Sequence, residues 1–267
     1  MRQLLMAVLL CLSAPMVLAG DSTLKRLDTG DDTRAWEAVG RLDIGGHGVC
    51  TGALIAPHLV LTAAHCLFDK RTGKKVDPEE IQFLAGWRNG RAAAYRNVRR
   101  AEAHPKYKHR KDIAAATVRN DVALLELQHP IKNTRIIPFQ TDERPRKGQR
   151  IGVVSYAHDR LEAPSLQEYC DVKARQQGVL IMSCDVDFGS SGAPVFSFEE
   201  NTPRVVSVVS AMAEVDGEDV SLGTQLKRPL ADLLTLMGLG ELENIQNVSG
   251  FTPVTKRRVN GAKFSKP

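Results

Sequence analysis

The 267-residue sequence has no Cys-x-x-Cys pair, and its seven histidines stand at no spacing from the cysteines that suits a metal. No metal and no cofactor are therefore expected. Beyond the first twenty residues no apolar run approaches the length a helix needs to cross a bilayer, so no membrane span is expected. There is no internal repeat. Helical periodicity is also scarce. Only PLADLLTLMGLG, from Pro229, carries it, with Pro at its start and Gly at its end. The last thirteen residues, TKRRVNGAKFSKP, contain five Lys or Arg and no acid.

What is present begins with MRQLLMAVLLCLSAPMVLAG. Arg2 precedes an apolar stretch from Leu4 to Leu12, followed by Pro15 and a small-residue ending that suits cleavage after Ala19. That layout is a secretory signal peptide over 1–19, and its apolar core is too short to span a membrane. Cys11 lacks the small preceding residue that a lipid-anchor signal requires. Export is thus expected, to a periplasmic or extracellular compartment. Four cysteines remain after cleavage: Cys50, Cys66, Cys170 and Cys184. An even count in an exported chain implies two disulfides, and four cysteines allow three pairings. The sequential pairing closes two short loops, each contributing on the order of 3 kcal/mol in the chain-entropy account. The net charge of +5 is uneven, with the basic tail over 241–267 standing apart. Its composition suits a solvated, flexible terminus, and its sign suits an anionic surface; no nucleic-acid partner is expected.

Between these ends the apolar runs are short and rich in Val, Ile and aromatics, separated by Gly, Pro, Asn or Asp. They fall at 36–44, 49–56, 59–63, 81–87 and 122–127, then at 150–156, 168–174, 178–184, 193–198 and 204–212. Many short strands and one late helix predict an all-β protein of barrels or sandwiches. The polar stretch 141–150 divides the strands into two groups and reads as a linker.

Three stretches carry chemistry. In LVLTAAHC, His65 follows an apolar strand; alone it is an ordinary polar residue. In NDVALLEL, Asp121 stands at the mouth of a strand, where turns and caps favour Asp. In CDVDFGSSGAP, Gly-Ser-Ser-Gly alone suits a tight turn. Together they form a His, Asp, Ser order. A hydroxyl is a poor nucleophile near neutral pH unless a base takes its proton, and imidazole suits that task. A buried carboxylate then holds the tautomer and stabilises the imidazolium. The α/β-hydrolase and subtilisin orders differ from the one here.

On these residues the sequence resembles the chymotrypsin/trypsin-fold serine peptidases of the secreted bacterial kind. TAAHC matches that family's histidine motif, NDVALLEL is close to its aspartate motif, and GSSGAP is similar to its GDSGGP. The step from Cys50 to Cys66 resembles its histidine-loop disulfide. The resemblance covers about residues 36–240. It implies two six-stranded antiparallel β-barrels, over 36–140 and 141–240, with a C-terminal helix in the second, after a leader or pro-segment at 20–35. It also implies a serine endopeptidase acting on protein or peptide substrates, with His65 as base, Asp121 as its orienter and Ser191 as nucleophile. Gly189 and Ser191 would supply the oxyanion-hole amides. The alternative is a catalytically silent binding protein on the same scaffold.

The departures carry expectations too. Ser190 stands where animal relatives have the aspartate that pairs with a new N-terminal amine, and no Ile-Val-Gly-Gly start precedes the first strand. Activation by that ion pair is not expected; local hydrogen bonds and a Cys170–Cys184 bridge would hold the loop instead. By distance from Ser191, Asp185 falls where trypsin-like enzymes bind Lys or Arg, although the neighbouring pocket cysteine is missing. Ser210 resembles the serine that opens the substrate-pairing strand. Val209 stands where glutamyl endopeptidases carry a histidine, which argues against Glu preference.

Overall fold

The computed structural model describes residues 23–240 apart from 47, 111–113, 143–144 and 199–201. The signal peptide at 1–19 and the basic tail at 241–267 lie outside the described residues. The chain enters through β1 (Lys25–Arg26), a short helix α1 (Gly30–Thr33) capped by the Thr29 hydroxyl, and a 3-10 turn ending at Trp36. The first barrel follows, with β2 (Val39–Ile44), β3 (Val49–Ala56), β4 (Leu59–Thr62), β5 (Ile81–Ala85), β6 (Ala94–Ala103) and β7 (Ala123–Leu127). It closes in the order β2-β3-β4-β7-β6-β5. A single turn of helix, α2 (Ala115–Val118), precedes β7.

The second barrel comprises β8 (Arg150–Ser155), β9 (Ser165–Gln176), β10 (Val179–Met182), β11 (Pro194–Ser197), β12 (Arg204–Val215) and β13 (Glu218–Gln225). Its order is β9-β10-β13-β12-β11-β8, and pairing of β8 with β9 closes it. All pairings between named strands are antiparallel. The architecture is thus the expected pair of six-stranded β-barrels with a C-terminal helix, α3 (Lys227–Leu236).

Two strands escape the hydrophobic pattern. β6, AYRNVRRAEA, buries Val98 and Ala101 and turns Tyr95, Asn97 and Arg99 outward, so its apolar signal is thin. β13 hides Ser221 and Thr224 alongside Val220 and Leu222. Both are recruited by neighbours already committed to a barrel. The helix begins two residues before Pro229, which the first turn tolerates because its N–H needs no partner there. It ends where Gly238 adopts φ +70° and the Leu239 N–H bonds the Leu234 carbonyl.

One apolar core runs through the interface between the barrels. Trp36, Phe139 and Phe196 pack edge-on or tilted, with Phe139 and Phe196 centroids 4.8 Å apart. Leu230, Leu233 and Leu234 of α3 join the same core, and Arg100 of β6 donates to the Leu236 and Met237 carbonyls. The second barrel adds its own core around Ile151, Leu180, Val195 and Val206. Within the expected 20–35 leader, β1 pairs with β9 and Leu27 is buried.

Candidate active site

His65 sits in a 3-10 turn directly after β4, and Asp121 just before β7; β4 and β7 are neighbours, paired from Leu59↔Glu126 to Thr62↔Ala123. That pairing brings the two side chains together. Asp121 is buried, and its carboxylate accepts three hydrogen bonds: from the His65 N–H to Oδ1 (2.8 Å), from His65 Nδ1 to Oδ2 (2.7 Å), and from Ser210 Oγ to Oδ2 (2.5 Å). A carboxylate only accepts, so His65 carries its hydrogen on Nδ1 and leaves Nε2 as the lone-pair nitrogen.

Ser191 is carried to the same place by the contact between barrels. The Thr51 N–H donates to the Ser191 carbonyl (2.8 Å), and Cys50, the residue before Thr51, is bridged to Cys66 beside His65. Gly192 lies so close to β4 that a Cβ there would stand 2.1 Å from Thr62 Oγ1 and 2.8 Å from the Ala63 nitrogen, at φ +76°. Only glycine fits. No hydrogen bond within 3.5 Å links His65 to Ser191; such bonds tighten when substrate binds.

The turn before Ser191 is held from both sides. Gly189 has φ +99°, and a Cβ there would press on the Tyr156 carbonyl and Ala157 at 3.0–3.1 Å. Ser190 is buried; its N–H donates to the Asp187 carbonyl (2.9 Å) and its Oγ accepts from the Asp187 N–H (3.3 Å). From the first barrel, Thr51 Oγ1 donates to the Gly189 carbonyl (3.0 Å) and accepts from the Tyr156 N–H (3.0 Å). The Gly189 and Ser191 N–H groups donate to no acceptor among the described residues. Two amides without an acceptor are donors available to a negative oxygen.

Both sequential disulfides are formed, Cys50–Cys66 and Cys170–Cys184, with Cα atoms 6.3 and 5.0 Å apart. The first uses the two cysteine sulfurs that lie near the His65 ring, so no thiolate is left there for a metal. Asp185 follows the second bridge. It is exposed, and its N–H donates to Oε1 of the buried Gln167 (2.8 Å). Ser210 bonds Asp121 and lies where β12 changes register against β13, between Val209 and Ala211. The structure therefore gathers His65, Asp121, Ser191, Gly189 and Ser210. Asp185 stands at an exposed position ahead of the Asp187–Ser190 turn and makes no hydrogen bond to any of them.

Two groups near the site escape sequence reading. Thr51 has no local signal, because its role depends on contact with residues 105 and 138 positions away. Tyr107 lies close enough to Asp121 to sense its charge. Burial first, and then that carboxylate, hold its phenol above the ordinary value.

Residues 50–206 match the trypsin-like peptidase domain, and the chain belongs to that family. Among curated proteins it is 31% identical over 163 residues to serine protease 23 of Mus musculus, covering 55% of this chain and 42% of that one. It is 23% identical over 193 residues to a glutamyl endopeptidase of Bacillus licheniformis, covering 70% and 59%. The match thus spans less than half the length of the serine protease 23 relatives. A solved structure of a Glu endopeptidase in complex with MPD shares the fold, with TM-score 0.67 and 17% identity over 82% of this chain and 97% of that one.

Proposed function

We propose that the protein is an exported serine endopeptidase that cleaves peptide bonds through His65, Asp121 and Ser191 and an acyl-enzyme intermediate. The observation that carries this reading is the buried Asp121 carboxylate, which holds His65 through Nδ1 and leaves Nε2 with no hydrogen bond to a described residue.

In this reaction Ser191 Oγ attacks the scissile carbonyl carbon as its proton passes to His65 Nε2. The carbonyl oxygen, now negative, is received by the Gly189 and Ser191 N–H groups. His65 then gives the proton to the leaving amine, the C–N bond breaks, and the acyl-enzyme remains. Water attacks next, passing one proton to Nε2, and collapse returns that proton to Ser191 Oγ with release of the acid. Asp121 keeps its negative charge throughout and stabilises the imidazolium.

A substrate chain has a place to lie. β12 pairs with β11 only through Val208, and Val209 bonds Gly192 and Ala193; from Ser210 onward that edge has no partner strand among the described residues. An extended peptide adds there as a strand. Asp185 is the candidate for reading a basic side chain, and a peptide-library cleavage profile tests it: loss of any Lys or Arg preference in Asp185→Ala supports the role, and an unchanged profile removes it. The signal segment and both disulfides support export. A fluorophosphonate probe tests the whole reading: an active peptidase is labelled on Ser191, and a silent binding protein is not.

A further inference from the structure

A cavity of about 1070 Å³ opens between the β6–β7 connection and the start of α3, and neither His65, Ser191 nor Ser210 lines it. Its wall brings together six cationic side chains: Lys106, Lys108 and Arg110 from that connection, Arg119 after α2, and Lys227 and Arg228 from the first turn of α3. Several arginines outside the cavity pair with acids, as in Arg34–Asp31, Arg99–Glu126 and Arg135–Glu37. Here Lys106, Lys108, Arg110, Arg119 and Arg228 form no ion pair with any described residue. The one acid among the described residues of the wall, Asp232, is engaged by His104 Nε2 at 3.2 Å.

Gathering like charges around one concavity is unfavourable unless something of opposite sign occupies it. The first turn of α3 has no acid and no side-chain cap, so the positive end of its dipole is not offset there by an acid of its own turn. Arg119 packs over Gly178, where a Cβ would stand 3.1 Å from the Arg119 Cβ.

We propose that this cavity binds a compact oligoanion carrying several clustered phosphate groups, either a linear polyphosphate or phosphate esters on a small ring. Its volume is that of a small-ligand site, and its concavity does not suit a flat bilayer surface. No Phe, Tyr or Trp among the described residues lines it, so nucleic-acid bases find no stacking platform. Arginine forks and lysine ammonium groups are the partners phosphate oxygens take.

The test is isothermal titration of the intact protein with tripolyphosphate and, separately, with inositol hexakisphosphate at about 0.15 M salt, where surface charges are well screened. Saturable one-to-one binding of either probe is expected, tripolyphosphate reporting the linear source and inositol hexakisphosphate the ring. Arg119→Glu/Arg228→Glu should weaken it by about tenfold or more, equivalent to about 1.4 kcal/mol. The control Lys74→Glu/Arg91→Glu makes the same charge change outside the cavity and should weaken it by less than about threefold. If the first pair does not fold, judged by circular dichroism, Arg119→Gln and Arg228→Gln singly replace it, each expected to weaken binding against Lys74→Gln. No saturable binding of either probe, or equal losses in cavity and control variants, overturns the proposal.

Discussion

The hydroxyl of Thr51, in the first barrel, donates to the carbonyl of Gly189, in the second, at 3.0 Å. The same oxygen accepts the Tyr156 N–H, so one buried side chain ties the turn before Ser191 to two other segments. Oxyanion amides are useful only when held in one orientation, and the Gly189–Ser190 peptide that links the Gly189 and Ser191 amides is held here at its carbonyl from outside its own loop. Thr51 is a positioning residue, acting through Gly189.

Thr51→Val should therefore lower kcat by about tenfold with little change in KM, less than the loss of an oxyanion donor itself. Thr51→Ser keeps the hydroxyl and should restore most of the rate. Steady-state kinetics on a peptide substrate separates the two. Full activity in Thr51→Val with a loss in Thr51→Ser would show that packing of the methyl group, and not the hydrogen bond, is what matters.

The Cys170–Cys184 bridge links β9 to the segment leading into the Asp185–Ser191 turn. Its removal in Cys170→Ala/Cys184→Ala should cost on the order of 3 kcal/mol of stability, by the chain-entropy account of a short loop. It should also lower turnover in protein that remains folded, because the turn loses one of its anchors. Unchanged turnover below the melting transition would sever the bridge from the oxyanion loop.

Acid should destabilise the fold through His104. Its ring is buried against α3, and burial holds its pKa below the usual 6.5, helped by Lys106 and opposed by the bond to Asp232. Below about 6.5 the unfolded chain binds a proton that the folded chain resists, so stability is full above that pH and falls as pH drops from there towards the folded value. His58 shifts in the same direction, by burial. Melting temperatures taken from about pH 7.5 down to pH 5 should fall, and His104→Gln should flatten the decline. An identical slope in that variant would assign the acid sensitivity to other groups.

What is legible in the sequence depends on where the information lies. Strands with a continuous apolar run, such as β3 and β4, read directly, as does α3 with its Pro and Gly signals. β6 and β13 do not, because their burial rests on partner strands and their own residues are largely charged or small. His65, Asp121 and Ser191 stand out as short motifs in one order. The Ser210–Asp121 bond is hidden, since sequence shows Ser210 only as part of a strand and the two residues lie 89 positions apart. Thr51 is hidden for the same reason. The sequential cysteine pairs are one of three options on the cysteines alone, and the fold realises that option.

The central claim is that Ser191 is the nucleophile of a working triad. Its most direct measurement is labelling by a fluorophosphonate probe, with mass spectrometry to locate the adduct. The account predicts a single adduct on Ser191, none in Ser191→Ala, and persistent labelling in Ser190→Ala, whose lost hydroxyl serves the turn and not the attack. Folded wild-type protein that takes no label, or an adduct that persists in Ser191→Ala, would contradict it.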